Sequence, residues 1–107
     1  MKLIWHPLAM DDFKQIIEYC HLNFGIHTAR KVRDKYRNDI NLLKEEPNLG
    51  FEEYLLKDCG TLEYRSLVIK NTKVIYTIHP DYIFIHMLWN CRRQPESLQS
   101  EVSKRQY

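Results

Sequence analysis

Among the residues of this chain able to grip an anion or move a proton are Lys73, Arg92 and Arg93, with the imidazoles of His79 and His86. Chemistry at a phosphate needs cations that hold the developing charge and a convergent acid or base. Two or three cations make only half of such a site. His79 and His86 fall in stretches that read as strand, where an imidazole more often plays a structural or rim role than a catalytic one. The other chemistry open to these side chains is recognition. Arg65, Lys73, Trp89, Arg92 and Arg93 are candidate target anchors, because Arg and Trp contribute large contact energies once desolvated at an interface. Each has a plainer reading beside it. Trp89 suits a core aromatic, Arg92-Arg93 a solvated pair ending a strand, and Arg65 a partner for Glu63 or another acid across a sheet.

Other chemistries are poorly supplied. Cys20, Cys59 and Cys91 are widely spaced, and His6, His21 and His27 are scattered, so no zinc-type ligand set forms and no metal is expected. Neither a glycine-rich phosphate loop nor a GxSxG elbow occurs, and no cofactor is expected. Arg30, Lys31, Arg33, Lys35 and Arg37 make a basic run broken by Asp34 and Asp39; such a face can meet RNA, but more commonly it solvates a helix. Net charge is only +2, too weak a bias for a dedicated nucleic-acid binder. The odd cysteine count, the short apolar start Met1–Trp5 and the lack of an 18-residue apolar stretch point to a cytoplasmic protein without a membrane span.

These residues need a frame. At 107 residues, 44% of them hydrophobic and 28% charged, the chain is one packed domain with no room for a second core. Met1–Trp5 predicts a first strand stopped by Pro7. From Leu8 to Phe24, Phe13, Ile16, Ile17, Cys20 and Phe24 recur at helical spacing, and Gly25 follows as a left-handed stop. A second helix opens at His27 or Thr28, carries Ala29, Val32, Tyr36, Ile40 and Leu43, and ends before Pro47. Its short link to the first predicts an antiparallel hairpin. Phe51–Gly60 shows no period and reads as loop. Leu62–Ile69, Lys73–His79 and Tyr82–Cys91 predict a three-stranded meander, with Ile83, Ile85, Met87, Trp89 and Cys91 on one side of the last strand and Tyr82, Phe84, His86, Leu88 and Asn90 on the other. The expected fold is α+β in the order β-α-α-β-β-β, a helical hairpin packed on one face of a twisted antiparallel sheet, the first strand joining it at an edge or centre. Residues 1–95 form the domain, and 96–107 a polar tail expected as a frayed helix or disordered.

Several local patterns carry a resemblance. They are Pro7, Ala9, Asp12 and Phe13 near the start, Phe24-Gly25 between the helices, and Leu43, Pro47 and Gly50 after helix two. Further on come Tyr64-Arg65-Ser66-Leu67, then Lys73-Val74-Ile75-Tyr76-Thr77-Ile78, then the run Trp89-Asn90-Cys91-Arg92-Arg93-Gln94-Pro95. In this order and spacing they resemble the RelE/ParE toxin superfamily of type II toxin-antitoxin systems, and its ParE-like, plasmid-stabilisation branch in particular.

The resemblance implies growth inhibition, and a cognate antitoxin whose extended or helical segment wraps the toxin, with oligomers arising through that complex. It implies one of two targets. RelE-like members cleave messenger RNA on the ribosome with basic residues around the scissile phosphate; Lys73 and Arg92 or Arg93 fall at matching positions, and His86 or His79 would have to supply a base. Where some members place a catalytic His or Tyr after the last strand, this sequence has Arg92-Arg93-Gln94-Pro95, and Tyr107 lies too far on. ParE-like members bind and poison DNA gyrase without hydrolysis, and the overall pattern is closer to theirs. A third reading is an interaction module that has lost toxicity.

Overall fold

Pro7 decides where the first strand stops. Its fixed φ and missing N–H suit the first position of a helix, and His6 caps that helix by accepting the Leu8 N–H on Nδ1 at 3.0 Å. The computed structural model describes residues 1–91 and 96–105. In chain order it has β1 (Lys2–Trp5), α1 (Pro7–Phe24), α2 (Ile26–Asn41), β2 (Phe51–Glu52), β3 (Arg65–Ile69), β4 (Thr72–Ile78), β5 (Tyr82–Asn90) and α3 (Glu96–Lys104), with 3-10 turns at Leu42–Lys44, Pro47–Leu49 and Tyr54–Leu56. A single residue, Gly25, separates α1 from α2. Its φ of 90° and ψ of 170° lie where side-chain-bearing residues are strained, and this turn folds the helices into the expected hairpin.

The α+β fold class stands as read, with four refinements. The sheet order is β1-β5-β4-β3-β2, and β1 lies at an edge, parallel to β5 rather than antiparallel. The stretch expected as loop holds the short strand β2, which pairs antiparallel with β3, and the turn at Tyr54–Leu56. The last turn of the second helix tightens to 3-10 before Pro47. Residues Glu96–Lys104, expected as a frayed helix or disordered, form α3, whose Leu98 and Val102 are fully buried.

Two apolar clusters flank the sheet. On the hairpin side Ala9, Val32, Tyr36, Ile40 and Leu43 meet Val74, Tyr76, Ile83, Ile85 and Leu88, with Phe13, Ile16 and Ile17 packed around them. On the opposite side Leu56, Tyr64, Ile75, Met87 and Trp89 meet Leu98 and Val102 of α3. Each large aliphatic side chain so buried contributes roughly 1.5–3 kcal/mol. The membership of these clusters corrects the expected alternation along β5. Ile75 pairs with Met87 but Tyr76 with Ile85, so His86 is an extra residue in a β-bulge. Before it Ile83 and Ile85 face the hairpin; after it Leu88 does, and Met87 and Trp89 face α3.

Candidate functional site

Lys73 stands on β4 opposite Trp89, on the face away from the hairpin. Its ammonium is already engaged. Nζ lies 2.9 Å from Oε2 of Glu53, and the same oxygen accepts the Ser66 hydroxyl at 2.6 Å, while Oε1 accepts the Leu55 N–H at 3.4 Å. Burial alone would push the Glu53 carboxyl up; the Ser66 and Lys73 donors outweigh it and hold it below the usual carboxylate range. The pair is therefore ionised and self-neutralising, and the Phe51 ring lies 6.0 Å from the same Nζ. Glu53 escaped the sequence reading because Phe51–Gly60 showed no period.

His86 is buried in the bulge, its ring edge-on to Tyr64 and Phe84. Nε2 shares a hydrogen bond with the Thr77 hydroxyl at 2.9 Å, and Thr77 in turn meets Nε2 of the half-buried His79 at 2.7 Å, where His79 stacks on Tyr82. Burial first, then the nearby His6, His79 and Arg105, push the His86 imidazole down to about 4, so it is neutral at physiological pH. Such a group lacks the access that proton transfer to an incoming substrate needs.

Two of the remaining candidate anchors, Trp89 and Arg65, are taken up by the fold itself. Trp89 is a core aromatic, only 3% exposed, the plainer of its two readings: the bulge moves it from the hairpin face to the face that α3 covers. Arg65 is mostly covered and works as a clamp, donating Nη2 to the carbonyl oxygens of Gly50 and, at 3.3 Å, Asn48; Glu63 lies 3.8 Å from Nη1. The fit there is close, since a Cβ on Gly50 would collide with the Ser66 carbonyl and the Tyr76 hydroxyl. Arg92 and Arg93 lie outside the described residues. Among the described residues no cluster of His, Cys, Asp or Glu is arranged to hold a metal, and no helix is long and apolar enough to cross a membrane.

A different surface comes together on the hairpin. A groove of about 590 Å³ between α1 and α2 is lined by the apolar Met10, Phe13, Ile17 and Ile26 and by a mostly basic wall of Lys14, Arg30, Arg33 and Arg37, with Glu18 and His21 also on it. It continues past Met10, Phe13 and Arg37 into a hollow beside Trp5, Ile40 and Asn41, and then along β1 with Lys44. The basic run of helix two was the legible signal. What turns it into a wall is spacing: residues 30, 33 and 37 share one side of the helix. Arg30 and Arg37 make no ion pair among the described residues, whereas Arg33 and Lys35 meet Asp34 and Asp39. At the hairpin's tip Tyr19, Leu22 and Phe24 are exposed, Leu22 by 77%.

Residues 3–95 match the family described as ParE toxin of type II toxin-antitoxin system, parDE. No curated protein matches the chain. Among solved structures, a chain of a chromosomal ParDE TA system from P. aeruginosa superposes with a TM-score of 0.69 at 17% sequence identity, covering 84% of this chain and 95% of that one; at this identity the likeness speaks for the fold. With the family matched across nearly the whole described fold, the chain belongs to the ParE toxin family of type II toxin-antitoxin systems.

Proposed function

We propose that this toxin arrests growth by binding an essential target of the DNA gyrase kind rather than by cutting RNA, and that a cognate antitoxin neutralises it along the hairpin groove. The observation that carries the choice is the Glu53–Lys73 pair. A phosphate-holding cation must be free to meet its anion, yet the ammonium at the position expected to do so is neutralised by a buried carboxylate. The imidazole nearest in sequence to a catalytic role, His86, is shut inside the sheet. Binding needs neither group.

The groove supports the antitoxin half of the reading. An apolar floor with a basic wall suits an amphipathic segment carrying acids beside its apolar stripe. Beyond it, among the described residues β1 has β5 as its single neighbour in the sheet, so its outer edge suits an extended strand added to the sheet.

The test is induced expression with and without the open reading frame beside the gene, following growth, transcript integrity and the DNA-damage response together. Arrest with intact transcripts, a damage response and rescue by the neighbour is the expected result. Cut transcripts would establish the nuclease instead, and a soluble, folded product that leaves growth untouched would favour the non-toxic module. Lys73→Ala combined with Glu53→Gln, which leaves no buried carboxylate unpaired, sharpens the distinction: in a folded double variant growth arrest survives in a binder and is lost if the ammonium holds a phosphate.

A further inference from the structure

The connection between β3 and β4 breaks a local rule. Ile69 pairs with Thr72, so Lys70 and Asn71 alone make the turn, and Lys70 has a φ of 54°. No other described residue apart from glycine has a positive φ. Two-residue turns place glycine, asparagine or aspartate at such a position, because a long side chain is strained there. No contact offsets that strain. The Lys70 side chain is exposed and makes neither an ion pair nor a hydrogen bond among the described residues. A lysine standing where the backbone favours glycine points to a use outside the fold.

Lys70 stands on the rim of a hollow of about 740 Å³ between the hairpin and the sheet. Asp12, Ile16 and Tyr19 of α1 line it, whereas Met10, Phe13 and Ile17 line the basic groove, so the two openings lie on opposite sides of that helix. The buried Val32, Tyr36 and Leu88 close its floor, where Thr72 fixes the Tyr36 hydroxyl at 2.8 Å. At its mouth Tyr19 and Phe24 are exposed by 62% and 63%, their rings edge to face at 6.3 Å. The charged residues of its lining are Asp12 and Lys70. Asp12 is spent: its carboxylate accepts the Leu88 N–H at 3.0 Å and pairs with both Nη atoms of Arg105, at 2.6 and 3.2 Å. The charge left open is that of Lys70.

We propose that this hollow is where the toxin grips its protein target, taking in an apolar or aromatic side chain beside Tyr19 and Phe24 and pairing Lys70 with a carboxylate next to it. A concave apolar floor with exposed aromatics at its mouth is the build of an interface hot spot. One open cation suits a lone carboxylate; a nucleic-acid backbone needs several. The inference rests on the reading of the chain as a target-binding toxin and locates the contact. It also accounts for neutralisation, because an antitoxin segment in the basic groove reaches His21 and Ile26, next to Phe24, and obstructs a target seated there.

The test compares the parent with Lys70→Gly, Lys70→Glu, Lys70→Arg and Phe24→Ser, each full chain induced alone and together with the product of the open reading frame beside the gene. Lys70→Gly should melt no lower than the parent, since glycine relieves the turn, yet arrest should need at least about tenfold more protein. Lys70→Glu and Phe24→Ser should be weakened likewise, while Lys70→Arg should arrest growth as the parent does. All four should keep the parent's affinity for the neighbouring product. Folded Lys70→Gly and Lys70→Glu chains that arrest growth at the parent's dose would overturn the inference. So would a Lys70→Gly chain that melts lower, because the lysine would then serve the fold. Loss of antitoxin binding in step with arrest would assign the hollow to the antitoxin instead. A parent that leaves growth untouched removes the target-binding reading itself, whereas a toxic parent with equally toxic variants removes this site alone.

Discussion

Replacing His86 by Gln should remove most of this protein's sensitivity to mild acid. The folded imidazole, buried between Tyr64 and Phe84, accepts a proton only at about 4, whereas the unfolded chain takes it up at the ordinary value of 6.5. Within that window the unfolded state binds more protons, so stability rises with pH. It is complete above pH 6.5 and falls as pH drops toward 4, and at about 1.4 kcal/mol per pH unit the full loss is about 3 kcal/mol. About 2 kcal/mol of this falls between pH 7 and pH 5, where most carboxylates are still ionised. Glutamine keeps a partner for the Thr77 hydroxyl and does not titrate in this range. Urea unfolding followed by circular dichroism at those two pH values, for both proteins, gives the comparison. A wild-type loss of about 2 kcal/mol that largely vanishes in His86→Gln is expected. Parallel losses in the two proteins would refute the assignment of acid sensitivity to this imidazole.

Glu53→Gln should cost about 3 kcal/mol, the lower end for breaking a buried pair because the Lys73 side chain, 21% exposed, can turn to water; the shift in urea midpoint measures it. In the parent, the contribution of the lowered Glu53 carboxyl is full above its unfolded value of about 4.3 and disappears as pH falls through its folded one, a window below that of His86. Gly25→Ala should cost about 1–3 kcal/mol through backbone strain alone, since a Cβ there meets nothing within 4 Å; a thermal melt that does not move would count against the strained turn. Arg30→Glu with Arg37→Glu should weaken antitoxin binding at least about tenfold and slow association, read by titration calorimetry and stopped flow, and unchanged affinity would remove the groove from the interface.

The hairpin was legible because its two stripes keep helical spacing without interruption and a glycine stands between them. The family patterns also carry structural duties: Pro7 opens α1, Ala9 and Leu43 are fully buried, Pro47 offers its carbonyl to the Tyr76 hydroxyl at 2.7 Å, and Gly50 admits that same hydroxyl. What escaped were features created by long-range pairing. Glu53 and Lys73 are twenty positions apart with no shared period, and Asp12 and Arg105 stand at opposite ends of the chain. In α3, Leu98 and Val102 are two apolar residues among polar ones, too few to make a stripe; only the seat beneath gives them meaning. Trp89 was misplaced because alternation cannot count an inserted residue.

That inserted residue accounts for more than one tryptophan. Parallel pairing of β1 with β5 runs from Lys2–Tyr82 to Trp5–Ile85, and the His6 N–H takes the Ile85 carbonyl as the last bond of the ladder. The bulge begins at the next residue of β5. From there the outer edge of the strand has no β1 beside it, and polar groups left at such an edge are costly unless satisfied. Two side chains satisfy them: Asp12 accepts the Leu88 N–H, and Arg105 donates to the His86 carbonyl. Those two residues also pair with each other, Arg105 Nη1 lying 2.6 Å from Oδ2 of Asp12. The same irregularity turns Met87 and Trp89 toward the side on which α3 settles, while Leu88 returns to the hairpin core. The burial of His86 and the seat of the last helix therefore have one geometric cause, one residue more on β5 than on β4, placed where Pro7 has already ended the β1 ladder.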